Sequence, residues 1–319
     1  MMTIVLLGSA VGSPGVTTTC LALALTWPRS VLVVDCDRNP SQAVLAGWLR
    51  AAPVASRGLV DLAQAHREML PIAPILWSRT VPLTAEDVPD DDSRRGSSQG
   101  AGAGRGTDVT APDTASPDAS ERRDAAAAPA QGDVVRRFLP GFSRPGAAAL
   151  FEPVWPELAE ALAGLAGSDV DILIDAGRVG AEGPPASLLA ISDVVALTVR
   201  SSLRSLAAVR LYVPGLSERV AGLQGPRFGF VVVGPGRPYS DAEIEHEFAL
   251  PVLADLPWSP DDSAVLSEGG EQPRRFTERP LLRGARAAAS ALGAAVPRAH
   301  QSSQVVPGLQ ASQLSGAWS

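Results

Sequence analysis

The chain has 319 residues, room for one large domain or two small ones, and its 45% hydrophobic content supports a sizeable core. A net charge of -7 argues against broad non-specific nucleic-acid binding, which needs clustered cations along a phosphate backbone. All 27 basic residues are arginine, so any mechanism that calls for lysine must work here without one. GC-rich codon usage, which also enriches Ala, Gly and Pro, accounts for that bias.

In chain order, Thr3–Leu7 is a short apolar run. It lacks the basic flank of a secretory signal and reads as a buried strand. A Gly/Ser/Pro loop follows, then a helical segment over Thr18–Thr26. Val31–Val34 is a second buried strand, ending in Asp35, and Gly58–Leu62 reads as a short helix after a turn. Residues 87–133 hold almost no large apolar side chain, cannot offset the entropy of ordering, and are expected to be a disordered insert. Asp171–Ile174 is a third strand, ending in Asp175; Val194–Val199 and Phe228–Val233 supply two more. Asp241–Glu247 reads as a solvated helix face. The tail, 298–319, is Gln/Ser/Gly-rich and also expected to be disordered; it has no cation after Arg298 and no apolar stripe, so it does not read as an amphipathic membrane anchor.

Continuous apolar strands separated by helices imply an α/β fold, a mostly parallel sheet with helices on both faces in three α/β/α layers. Ligands of such sheets sit at the carboxyl ends of the strands. No apolar run reaches a membrane span, so there is no transmembrane segment and a cytoplasmic location is expected. Cys20 and Cys36 lie in apolar segments without metal-ligand spacing and read as small buried hydrophobes; His66, His246 and His300 are scattered. Trp27, Trp48, Trp77, Trp155 and Trp258 are dispersed and read as packing residues, not a base-stacking platform.

The first strand runs into Gly8-Ser9-Ala10-Val11-Gly12-Ser13-Pro14-Gly15-Val16-Thr17-Thr18-Thr19. Small residues between a strand and a helix let backbone N–H groups approach an anion, and the helix dipole adds positive potential. Against GxxxxGK[ST], Gly15 and Thr17 match, while Ala10 replaces the first glycine and Val16 the lysine. Those residues alone leave a plain Gly-rich turn as the alternative.

The stretch Val11 to Thr18 resembles the deviant Walker A loop KGGxGKTT of the ParA/MinD class of P-loop ATPases. VLVVDCDRNPS is similar to that family's second strand, with Asp35 and Asp37 at its paired acids. DVDILIDAG is similar to its Walker B strand, with Asp175 at the end, and FVVVGPG with ALPVLADLPWSPD resembles its late strands. The nearest resemblance is to an actinobacterial, lysine-poor branch with GSPGVTTT-type loops. The likeness implies one P-loop NTPase-like domain over 1–86 and 134–297. It implies ATP and Mg²⁺ as cofactors, with Gly12, Ser13, Pro14, Gly15, Val16, Thr17 and Thr18 as the nucleotide cradle. Thr17, Asp35 and Asp175 would serve the metal. Asp37, with Asp35, would carry catalysis by positioning the attacking water.

The departures are Val16 and Val11, which stand where the family has its phosphate-binding lysine and the second lysine used across its dimer. Phosphoryl transfer needs cations on the transferred group. Arg38 and Arg178 fall near the same edge and are candidates to substitute, a solvated or structurally paired arginine being the alternative for each. A MinD/ParA-like positional or assembly regulator is therefore expected, in cell division, chromosome partitioning, or pilus and secretion assembly. It would bind ATP-Mg with weak or no hydrolysis, and would be an ATPase if active. The alternative is a pseudo-ATPase scaffold acting through protein partners. Whether the chain forms a homodimer, and which protein it meets, stays open. A GTPase is disfavoured because N/T-K-x-D needs a lysine; a nitrogenase-reductase role is disfavoured by the positions of the cysteines.

Overall fold

Strands made of consecutive aliphatic residues leave no polar side for water, so both faces of the sheet they form must be covered. The computed structural model describes residues 2–10, 15–39, 43–50, 52, 58–84, 134–144, 146–180, 182–223 and 225–296. The insert 87–133, the tail 298–319 and the loop residues Val11, Gly12, Ser13 and Pro14 lie outside them.

The chain opens with β1 (Ile4–Ser9), α1 (Val16–Thr26), β2 (Ser30–Asp35) and α2 (Ala43–Ala46). Then come α3 (Leu59–Arg67), α4 (Ala73–Leu76), β3 (Val81–Pro82), β4 (Arg136–Leu139), α5 (Ala147–Leu150) and α6 (Trp155–Ala163). The second half runs β5 (Val170–Arg178), α7 (Ala186–Ile191), β6 (Val194–Arg200), α8 (Leu203–Ala221) and β7 (Arg227–Val233). It closes with α9 (Asp241–Phe248), β8 (Val252–Leu256), α10 (Pro260–Ser267) and α11 (Pro280–Ala294).

The eight strands form one sheet in the order β3-β4-β2-β5-β1-β6-β7-β8. Only β3, at the edge, runs antiparallel to its neighbour. The chain leaves β1 toward β2 on one side, and the step from β5 to β6 passes over β1 to the other. The crevice at the strands' carboxyl ends around β1 is thus the topological switch point, where such sheets bind ligands.

Side-chain alternation divides the core into two layers. Val5, Leu7, Val31, Val33 and Leu173 pack under α1 and α11 with Cys20, Leu23 and Leu282. Ile4, Leu6, Leu32, Val34, Ile172 and Ile174 face Leu59, Trp155, Leu158, Leu188 and Val209 on the other side. The expected three-layer α/β/α arrangement is what the chain adopts. The expected boundaries shift: α1 begins two residues earlier, at Val16, and β5 runs on to Arg178. Both shifts lengthen elements toward the carboxyl edge. As expected, α9 buries only Ile244, and Trp27 and Trp155 are core residues. Both cysteines are buried and free, and burial pushes both thiols well up. Among the described residues no helix is long and apolar enough to cross a membrane.

β5 carries two buried aspartates with opposite duties. At its amino end, Asp171 accepts hydrogen bonds from the Thr3 amide (2.6 Å), Trp27 Nε1 (2.7 Å) and Arg29 (2.6 Å). It ties β1, α1 and β5 together with every partner in place. Asp171→Ala leaves buried donors unpaired and should cost about 2–4 kcal/mol. Chemical denaturation of the ligand-free protein measures this; an unchanged midpoint would contradict the assigned network.

Candidate functional site

The site begins where β1 ends. Gly15 takes a left-handed conformation (φ 87°) immediately before α1, a backbone that a side chain would strain. Its carbonyl accepts the Thr19 amide at 2.8 Å, closing the first turn and aiming the free N–H groups of the helix start at the sheet edge. Val16 is buried against the layer under α1, while Thr17 and Thr18 are half-buried.

Register brings the acids together. Asp35 on β2 is the direct cross-strand partner of Asp175 on β5, which lies beside Leu7 of β1. Asp175 is fully buried; its Oδ1 accepts the Gly177 amide at 2.9 Å, and its Oδ2 has no hydrogen-bond partner. The Thr17 hydroxyl donates to the same carboxylate. Asp35 accepts the Asp37 amide at 3.1 Å and also the Gly141 amide. Asp37 accepts the Asn39 amide at 2.8 Å and reaches across to the end of β5.

Two glycines make this convergence sterically feasible. A Cβ on Gly177 would lie 2.0 Å from the Asp37 carboxyl carbon, and that residue also has positive φ (56°). A Cβ on Gly141, in the turn after β4, would lie 2.6 Å from the carboxyl carbon of Asp35. Neither glycine stood out as a site residue in the sequence. The DAG triplet after the third strand held the signal for Gly177, whereas Gly141 follows a strand that the hydropathy pattern does not reveal.

Burial, and then the charge of Asp175, holds the Asp35 carboxyl well above the ordinary carboxylate range. Burial does the same to Asp175, against the opposing Thr17 and Gly177 hydrogen bonds and with Asp37 adding to the rise. Asp37 is raised by burial and partly brought back by Asn39 and Arg178. The two candidate cations part company here. Arg38 donates to the Gly183 carbonyl and pairs with Glu182 at 3.5 Å, so it serves the loop after β5. Arg178 lines the cavity.

That cavity, about 380 Å³, runs along the start of α1. Ser9, Gly15, Thr17, Asp37, Gly177 and Arg178 give it a polar lining around the strand ends and the start of α1. Leu21, Val44 and Leu266, members of one apolar layer, line it as well, with Ala43 and Ser267. Thr17, Asp37, Gly15, Val16 and Thr18 all line it, and Asp35 and Asp175 sit at the strand ends beneath it. Ser9 belongs to the small-residue stretch that the sequence singled out, whereas Leu266 and Ser267 carry no such signal.

Among the described residues no group of three or more His, Cys, Asp or Glu is placed to enclose a metal ion directly. The donor set fits Mg²⁺ all the same, because that ion keeps several waters and takes one or two protein oxygens plus phosphate. The buried, unpartnered Asp175 Oδ2 is an acceptor waiting for such a water.

No protein-family model matches the chain, and neither does any curated protein. Solved structures do match. The cell division ATPase MinD of Pyrococcus furiosus is 19% identical, with TM-score 0.57 over 92% of this chain and 99% of that one. A ParA family ATPase from Chlorobium tepidum is 14% identical, with TM-score 0.58 over 91% and 98%. A putative plasmid partition protein from Borrelia burgdorferi, bound to AMPPNP, is 11% identical, with TM-score 0.57 over 92% and 99%. The chain thus has the ParA/MinD-like P-loop NTPase fold.

Raised carboxylate pKa values mean that the folded protein binds more protons than the unfolded chain, so stability falls as pH rises from about 4 through the raised values. Asp35→Asn removes one buried charge and should raise the ligand-free melting temperature by roughly 3–8 °C at pH 8. The gain should shrink toward pH 4 and vanish below about pH 3, where Asp35 is protonated in both states. Calorimetry across that range checks the sign; a lower melting temperature at pH 8 would contradict it.

Proposed function

We propose that the chain is a ParA/MinD-like nucleotide-binding protein of the cytoplasm that acts as a positional or assembly regulator in cell division, partitioning, or pilus and secretion assembly. It binds ATP with Mg²⁺ and turns it over weakly or not at all. The observation that carries this reading is that Thr17 and Asp37 line a cavity running along the start of α1 while Asp35 and Asp175 pair across the adjoining strands, with Asp175 Oδ2 buried and unpartnered. The three solved structures of similar fold, one of them holding AMPPNP, support the nucleotide class.

In this reading the N–H groups of the α1 start hold the phosphates, and the Thr17 hydroxyl with Asp35 and Asp175 would hold Mg²⁺ and its waters. Bound there, Mg²⁺ neutralises phosphate charge that the loop cannot neutralise with a lysine. Asp37, lining the cavity, orients a water for attack and accepts its proton at a carboxylate oxygen. Val16 contributes no charge to the transition state, which is why slow turnover belongs to the proposal.

A second reading is a scaffold that keeps the fold and works through protein partners. The burial of Val16 in the apolar layer favours it, since that side chain serves the core.

Titration of the purified protein with a fluorescent ATP analogue, with and without Mg²⁺, separates the two. Saturable Mg²⁺-dependent binding supports the first; no binding at millimolar nucleotide leaves the scaffold. Asp37→Ala should abolish any turnover while affinity changes less than about threefold, and unchanged turnover would remove Asp37 from the chemistry. Val16→Lys, at a position lining the cavity, should tighten ATP-Mg by about tenfold, the value of one charge-assisted contact.

A further inference from the structure

A phosphate loop without lysine offers an anion only backbone N–H groups and about half a unit charge from the helix dipole. Three carboxylates stand at the same edge. A polyphosphate therefore needs a cation from another element. Arg38 is committed to Glu182 and the Gly183 carbonyl.

Arg178 is placed otherwise. It is the last residue of β5 and the register partner of Ser9, the residue from which the loop springs. The Val179 amide donates to the Ser9 carbonyl at 2.8 Å, so the backbone around Arg178 is pinned to the loop's origin. The side chain is exposed and borders the same cavity as Gly15 and Thr17, beside Asp37. Among the described residues its guanidinium forms no hydrogen bond and no ion pair within 4 Å, and the acid its charge acts on is Asp37. Leu21, Val44 and Leu266 belong to one apolar layer and suit a base, while Arg178, beside Asp37 at the end of β5, suits the far end of a phosphate chain.

Resting on the nucleotide-binding reading above, we infer that Arg178 is the protein's own cation at this site, beside Mg²⁺, and grips the terminal phosphate of a nucleoside triphosphate. A guanidinium on a strand end suits that task. Its planar fork cannot thread a phosphate loop as a lysine does, but it matches two oxygens of a terminal phosphate approached from the side. The site would then distinguish triphosphate from diphosphate through a residue outside the loop.

The test uses the full chain with fluorescent ATP and ADP analogues in Mg²⁺, comparing wild type with Arg178→Ala, Arg178→Lys and Arg38→Ala. Wild type should prefer the triphosphate by about tenfold or more. Arg178→Ala should lose that preference by weakening the triphosphate alone, Arg178→Lys should restore part of it, and Arg38→Ala should keep it. Arg178 is exposed, so melting temperatures should stay close to wild type; Arg178→Gln replaces the alanine variant if that one fails to fold. Wild-type binding that Arg178→Ala leaves unchanged, or an equal loss for both nucleotides, overturns the inference and spares the nucleotide reading. No nucleotide binding by wild type overturns both.

Discussion

The register of β2 against β5 sets Asp35 directly beside Asp175, and β1 on the other side of β5 delivers the start of α1 to the same edge. Parallel pairing brings the carboxyl ends of β1, β2 and β5 to one edge and concentrates the residues found there. Here those residues are acids, taken out of water by their neighbours and facing one another. Charge placed that way opposes folding, and hydrophobic layers on both faces of the sheet have to offset it. The orphaned Asp175 Oδ2 and the upward displacement of three carboxyl groups share one cause: the protein supplies these buried acids with too few donors and cations.

Comparing the two buried aspartates of β5 makes the point sharper. Asp171 has the same side chain, the same strand and nearly the same burial, yet both its oxygens meet donors, Thr3 and Arg29 at one and Trp27 at the other. Asp175 has one oxygen satisfied and one left over. Burial alone does not separate the two; unfinished hydrogen bonding at the carboxyl edge of the sheet does.

Much of this was legible from residues alone. The aliphatic runs of β1, β2, β5, β6 and β7 admit little besides a covered parallel sheet, and their terminal Asp35 and Asp175 follow directly. β4 was not legible, because Arg136 and Arg137 disguise it as polar. In the fold Arg137 is buried, its Nε donating to the Thr80 hydroxyl at 2.7 Å and its guanidinium lying over the Trp77 ring, partners that only tertiary contact supplies. Gly141 was hidden for the same reason, since its role depends on Asp35 arriving from a strand a hundred residues away. The choice between Arg38 and Arg178 was also beyond sequence: both follow an acid at a strand end, and only the loop gripped by Arg38 and Arg219 separates them.

A chain whose cations are all arginine also has unusual covalent chemistry. Guanidinium groups stay protonated at any pH the fold survives and ignore the acylating reagents and acetyl donors that attack side-chain amines. Apart from the chain terminus there is no amine to modify. Any lysine placed by substitution would be a unique handle, and one placed at Val16 would sit in the wall of the cavity. Protection of that single side-chain amine from a labelling reagent would then report occupancy of the cavity, with the chain terminus as the one other amine to subtract.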